Sequence, residues 1–247
     1  MKTSKVCLVI GAGDATGGAV AKRFAREGYV ACVTRRTLDK LQPLLIQIQQ
    51  AGGIAHGFAS DARKEDEVIA LIEHIESSIG PIEVLVFNIG ANSPNSVLTE
   101  TARRYMKMWE MACFAGFLNG REVAKRMVSR LEQRDQHING VTPKGTIIFT
   151  GATASLRGSA NFAGFSGGKM ALRGLAQSMA RELGPMGIHV AHTIIDGAID
   201  TEFIQTLFPD RYALKDQGGI LNPDHIADAY WICLLYTSPS PRDRTRS

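Results

Sequence analysis

Short apolar runs alternate with helical patterns along almost the whole chain, and this alternation limits the fold more than any other feature. Val6–Ile10, Tyr29–Thr34, Ile54–Ala59, Glu83–Asn88, Gly145–Thr150 and Ile188–Ile195 read as strands. Gly17–Glu27, Leu38–Ala51, Glu65–Ile79, Glu100–Arg130, Phe162–Leu183 and Asn222–Ile232 carry helical periodicity. Gly52-Gly53, Gly80-Pro81 and Gly184-Pro185 stop three of the helices, and Asn222-Pro223-Asp224 opens the last. Six β–α units in series predict an α/β fold: a Rossmann-like, doubly wound parallel sheet with helices on both faces and right-handed crossovers. Cys7–Ile10, Val84–Val86 and Ile147–Phe149 are continuously apolar, as parallel strands covered on both faces must be. Ligands on such sheets bind at the carboxyl ends of the strands, where the strand order reverses.

The 247 residues suit one large domain of this kind, with no internal repeat or linker. A formal charge of +4 is small for this length, and no Lys/Arg run precedes position 240, so nucleic acid is not an expected partner. Cys7, Cys32, Cys113 and Cys233 are scattered, without the spacing of a metal site, and read as reduced thiols of a cytoplasmic protein. The apolar runs fall far short of the roughly 18 residues of a membrane span. The first of them abuts a glycine-rich turn, so it reads as a strand and not as a signal segment.

The glycine-rich turn carries the first chemistry. Gly11-Ala12-Gly13-Asp14-Ala15-Thr16-Gly17-Gly18 follows the first strand and opens the first helix. There, glycine lets backbone approach a pyrophosphate, and the helix start offers unpaired N–H groups to the anion. The second strand ends in Thr34-Arg35-Arg36. An acidic residue at that place would bond the ribose hydroxyls of NAD, whereas arginine suits a 2′-phosphate. The expected cofactor is therefore NADP(H) in preference to NAD(H).

With these motifs the chain resembles the short-chain dehydrogenase/reductase superfamily from Lys5 to Ile232. That family's GxxxGxG turn corresponds to Gly11, Ala15 and Gly17, the middle glycine being replaced. The resemblance implies that Asp61 contacts adenine. Asn88-Ile89-Gly90 is similar to the second half of the Asn-Asn-Ala-Gly turn, with Phe87 in place of the first Asn. Asp196-Gly197-Ala198-Ile199-Asp200-Thr201 is similar to the family's Pro-Gly-x-x-x-Thr segment. Thr201 would then bond the nicotinamide amide, and Asp196 departs from proline. Family specificity comes from the loop after Thr201, so residues 202–221 would frame an unknown substrate, with Phe203, Leu207, Phe208 and Tyr212 as apolar walls. The resemblance further implies a homodimer or homotetramer built on helices around 106–127 and 162–183.

The catalytic pattern of the family is broken in this chain. Lys169 matches the Lys that holds the ribose and lowers the pKa of the proton-donating Tyr. Phe165 occupies the Tyr position and has no proton to give. Ala152 occupies the Ser position, and the relay Asn falls at Ala115-Gly116. None of the five tyrosines has a Lys four residues later. The pattern resembles a divergent branch in which Phe replaces the critical Tyr. A positioned acid contributes about 10²–10⁴-fold, while holding the reactants in near-attack geometry contributes up to roughly 7–11 kcal/mol. Losing the Tyr therefore removes the usual acid without removing the hydride donor. Replacement acids are Thr153, Asp196 and His192; their structural alternatives are a loop hydroxyl, a turn former and a packed strand residue. Two readings stand: an NADP(H)-dependent oxidoreductase acting on a carbonyl, alcohol or enone with a non-standard proton path, and a non-catalytic NADP(H)-binding module serving as sensor or partner subunit; a third, weaker one is the fold retained with no cofactor at all.

The C-terminal end differs in character from the rest. Beyond Ile232 comes a Pro/Ser/Arg stretch, and Cys233–Asp243 resembles the translation of a sequencing-library adaptor. The domain is thus expected to be 1–232, with 233–247 a non-native tail. The sheet is expected to lack the strand that ends it in the family.

Overall fold

A computed structural model of the protein describes residues 4–90, 92–134 and 145–235. The strands are β1 (Val6–Ile10), β2 (Val30–Arg35), β3 (Ala55–Ala59), β4 (Ile82–Phe87), β5 (Gly145–Ala152) and β6 (Ile188–Ile195). They form one parallel sheet in the order β3-β2-β1-β4-β5-β6. The order reverses between β1 and β4, which pair directly with Cys7 opposite Val84 and Ile10 opposite Phe87. The crevice above that pair is the expected ligand position of a doubly wound sheet.

The helices are α1 (Thr16–Arg26), α2 (Gln42–Gln50), α3 (Glu65–Ser78), α4 (Ala102–Trp109), α5 (Ala115–Arg134) and α6 (Ala163–Leu183). After β6 come a two-residue strand β7 (Ala198–Ile199), α7 (Glu202–Leu207), α8 (Pro209–Tyr212), β8 (Ile220–Leu221) and α9 (Pro223–Leu235). Strand side chains alternate between two cores because the pleat sends neighbours to opposite faces. Val6, Leu8 and Ile10 join α3, α5 and α6, whereas Cys7 and Val9 join α1, α2 and α9. α9 seals the second core through Tyr230, whose hydroxyl lies 2.6 Å from Thr150 Oγ1 and 2.9 Å from Thr193 Oγ1 beneath the sheet.

Three local differences from the sequence reading have physical causes. The expected single helix over 100–130 divides at a π-turn, Glu110–Phe114, and then continues to Arg134. The helical period counts apolar spacing and is blind to one extra residue in a turn. Leu38–Leu41 forms a tight 3₁₀ turn before α2, because Pro43 fits only the first turn of an α-helix. α9 runs three residues past Ile232, and Cys233 and Leu234 pack against the second core, so the helix reaches into the segment expected as a tail. The remaining tail, 236–247, lies outside the described residues, and so does the expectation about a further strand.

Candidate functional site

The site begins where β1 ends. Gly11 turns the chain with φ +84°, a conformation in which a side chain is strained. Asn88, at the end of β4, closes the turn by donating Nδ2 to the Gly11 carbonyl at 3.1 Å. Its amide therefore shapes the cradle. Gly17 lies so close to the turn that a Cβ would stand 2.5 Å from the Gly11 carbonyl oxygen. Ala15 caps α1 without a side-chain hydrogen bond; the Gly18 amide donates to the Gly13 carbonyl at 2.9 Å, and among the described residues the Thr16 and Gly17 amides are left to an anion. A Cβ on Gly13 or Gly90 would meet nothing within 4 Å, so the turn faces open space.

From this turn a pocket of about 340 Å³ runs toward the ends of β2 and β3, lined among others by Arg35, Arg36, Lys40, Asp61 and Arg63. The two arginines after β2 are not equivalent. Arg35 bonds the Asp14 carboxylate at 3.0 and 3.4 Å and the Lys40 carbonyl at 2.9 Å. Arg36 makes no ion pair with the described residues. Asp61 is clamped by Arg63, with Nε at 2.9 Å and Nη2 at 2.5 Å, and this guanidinium holds its carboxyl down at about 2. The Asp14–Arg35 and Asp61–Arg63 pairs lay outside the sequence reading. The π-turn brings Met111 into the same pocket.

In the other direction the crevice widens to about 1230 Å³, framed by the ends of β5 and β6 and by α6, α7 and α8. Lys169, on α6, lines it while only 3% exposed. Its Nζ donates to the carbonyls of Thr150, at 2.7 Å, and Ile89, at 3.0 Å. Among the described residues no carboxylate pairs with it, and burial lowers its pKa to about 8. Phe165 lies one helical turn earlier, its ring centre 6.0 Å from Nζ. Ala152 closes β5 on the same wall. Ala115 and Gly116 are core positions; a Cβ on Gly116 would meet Leu172 at 2.7 Å, so no Asn fits there.

The three candidates for a replacement acid occupy different environments. Thr153 and Asp196 both line the crevice, and the Thr153 hydroxyl donates to the Asp196 carboxylate. His192 is not among the lining residues. Burial first, and then Lys169 and Arg173, lower its pKa to about 4, which keeps it neutral and unable to act as a cationic acid near neutrality. Its ring packs on Gly151, where a Cβ would stand 2.3 Å from Cε1. Thr201 caps α7, accepting from the Ile204 amide at 3.2 Å. Phe203, Phe208 and Tyr212 line the crevice as expected, and Leu207 is not among its lining residues. Tyr212 donates to Asp200 at 2.9 Å, and Lys215 pairs with the same carboxylate at 2.7 Å, tying this loop to the segment after β7. Ser166 also lines the crevice, and its buried Oγ has no partner among the described residues. Its helical position beside Phe165 was the available sequence signal.

Among the described residues no group of His, Cys, Asp and Glu could hold a metal ion, and no helix is long and apolar enough to cross a membrane. The chain is 28% identical over 229 residues to sorbitol-6-phosphate 2-dehydrogenase of Escherichia coli, covering 92% of this chain and 83% of that protein. A short-chain dehydrogenase structure from Rhodopseudomonas palustris is 41% identical, with a TM-score of 0.74 over 97% of this chain and 94% of the other. A metagenomic short-chain oxidoreductase in complex with NADP, 24% identical, has the same fold, with a TM-score of 0.74 over 97% of this chain and 94% of the other. The short chain dehydrogenase family model matches residues 5–212, and the chain belongs to that family.

Proposed function

We propose that this chain is an NADP(H)-dependent oxidoreductase acting on a small alcohol, carbonyl or enone with a non-standard set of catalytic residues. One observation carries the reading. The basic pocket and the wide crevice share the wall of Gly11, Gly13, Asn88, Ile89 and Gly90, so they form one trough from Arg36 to Lys169 and Thr201. The residues present fit an extended dinucleotide. The open cradle at Gly13, shaped by Gly11, Ala15 and Gly17 ahead of α1, takes a pyrophosphate. Arg36, without an ion pair among the described residues, is available to a 2′-phosphate, while Arg35 is held by Asp14. Asp61 borders the adenine end, Asn88 and Gly90 the middle, and Thr201 the nicotinamide end.

When bound, the dinucleotide supplies a two-electron hydride donor or acceptor. Lys169 has spent two of its three N–H groups on carbonyls and keeps one for a ribose hydroxyl. Its uncompensated positive charge also favours negative charge developing on a substrate oxygen in the crevice. Phe165 and Phe162 exclude water from one wall.

The second reading, a non-catalytic NADP(H)-binding module, is favoured by Phe165 and Ala152 standing together where the family has its acid and its substrate-bonding Ser. In both readings the intact protein is a homodimer or homotetramer of the cytoplasm. The exposure of Tyr105, Met106, Phe117 and Met170 on α4, α5 and α6 supports such an assembly. Both readings also take residues 233–247 as a non-native tail. The test is calorimetric titration with NADPH and NADH, followed by a broad panel of alcohols, carbonyls and enones. Tighter NADPH binding with turnover is expected. Tight binding with no turnover across the panel assigns the second reading, and absence of binding overturns both.

A further inference from the structure

The Thr153 hydroxyl is committed. It donates to the Asp196 carboxylate, across the gap between the end of β5 and the segment that follows β6. Thr153 follows Ala152 directly, in a 3₁₀ turn whose backbone is held by Ser155 Oγ, which accepts from the Ala152 amide at 3.1 Å. Both members of the pair line the crevice that Lys169 and Phe165 line, and both reach solvent. A hydroxyl that gives its only proton to a carboxylate presents lone pairs to whatever approaches from the crevice. It can accept a hydrogen bond from an alcohol. It has no proton to offer a carbonyl oxygen.

We infer that Thr153 and Asp196 form a proton relay that replaces the missing acid–base pair, and that the substrate class it serves is an alcohol undergoing oxidation. This rests on the function proposed above. The substrate O–H donates to Thr153 Oγ1. As that bond breaks, the proton passes to Thr153 Oγ1 while the proton Thr153 was donating moves to Asp196. The substrate C–H bond breaks with its electron pair, and the hydride leaves for the oxidised nicotinamide dinucleotide. The C–O bond becomes C=O, and Asp196 releases its proton to solvent. The products are a carbonyl, the reduced dinucleotide and one proton. Thr153 is the catalytic residue in this scheme, because it touches the substrate. Asp196 acts through it. The Lys169 ammonium, on the wall of the same crevice, favours the alkoxide character that develops on the substrate oxygen.

The test compares wild type with Thr153→Val, Thr153→Ser and Asp196→Asn, using NADP⁺ and a panel of secondary alcohols beginning with cyclohexanol and 1-phenylethanol. Calorimetric NADPH binding, unchanged in all three variants, reports that each is folded and that the dinucleotide site is intact. Removing a positioned proton acceptor lowers kcat by about 10²–10⁴-fold. That loss is expected in Thr153→Val and Asp196→Asn with KM for NADP⁺ unmoved, while Thr153→Ser retains activity. Wild type is expected to show a solvent deuterium isotope effect on kcat that disappears from the residual rate of Asp196→Asn. A readout independent of turnover is the affinity of the turned-over alcohol for the protein–NADPH dead-end complex, which Thr153→Val weakens and Thr153→Ser does not. Wild-type oxidation that persists undiminished in Thr153→Val and Asp196→Asn overturns the relay alone. Wild type that reduces carbonyls but oxidises none of the corresponding alcohols overturns the assigned substrate class. No turnover in either direction overturns the oxidoreductase reading, and the relay with it.

Discussion

Gly17 sets the geometry of the glycine turn after β1, and adding one methyl group there has a cost that can be worked from the structure. A Cβ at Gly17 would lie 2.5 Å from the Gly11 carbonyl oxygen, 2.9 Å from Ala12 Cα and 2.9 Å from Asn88 Nδ2. The first contact is short of the 3.4 Å of ordinary packing by about 0.9 Å. The first two neighbours are backbone, and the third is fixed by its bond to Gly11, so none can swing aside. Overpacking of this kind costs about 1–3 kcal/mol. The helix propensity of alanine over glycine returns less than about 1 kcal/mol at the first turn. Gly17→Ala is therefore expected to destabilise by about 1–2 kcal/mol, which at roughly 2–4 °C per kcal/mol lowers Tm by about 2–8 °C. The displaced turn also weakens NADPH binding by about tenfold or more, since each 1.4 kcal/mol is tenfold. The assay is thermal unfolding by circular dichroism together with calorimetric NADPH titration. Gly13→Ala is the thermal control, because a Cβ there meets nothing within 4 Å, and its Tm is expected to stay within about 1 °C of wild type. Wild-type Tm and affinity in Gly17→Ala would refute the packing argument; so would an equal fall in Tm in Gly13→Ala.

Two further predictions concern charge. Arg36→Ala is expected to weaken NADPH binding by about tenfold, the scale of one charge-assisted hydrogen bond, and to leave NADH binding unchanged. Arg35→Ala should cost less, because Arg35 must first give up Asp14; equal losses for both nucleotides in both variants would contradict this assignment. Lys169 supplies a pH dependence of stability. With its pKa lowered to about 8 in the folded chain, against 10.5 for an ordinary lysine, burying the ammonium costs about 3 kcal/mol. Below about pH 8 both states hold the proton and that cost is present in full. Between about 8 and 10.5 the unfolded chain binds the extra proton, so this group's contribution to stability rises with pH. Denaturant unfolding of wild type and Lys169→Met at pH 7.5 and 10 should show this rise in wild type only, and a parallel pH response in the variant would count against it.

Periodicity and punctuation decided the six β–α units, because a buried parallel strand must be apolar throughout and a helix covering it must be apolar on one face. Val6–Ile10 and its neighbours state this residue by residue. The glycine turn was legible for a similar reason: Gly11 answers a backbone conformation and Gly17 a close approach, and both are local demands. The chemistry of Phe165 is equally local, since a phenyl ring carries no proton to give wherever the fold places it. Tertiary structure decided what depends on distances between remote segments. Arg35 and Arg36 are alike in sequence, and only the fold brings Asp14 against one of them. Asp61 gives no sign in sequence that Arg63 occupies its carboxylate. Thr153, Asp196 and His192 were equal candidates as residues. Forty-three positions separate Thr153 from Asp196, and the parallel pairing of β5 with β6 places the ends of these strands side by side, so that the two side chains meet in the crevice. His192, four residues before Asp196 and inside β6, is turned onto Gly151 and desolvated. Hydrogen bonding and burial act through space at a few ångströms, and the chain order does not record which side chains come within that range.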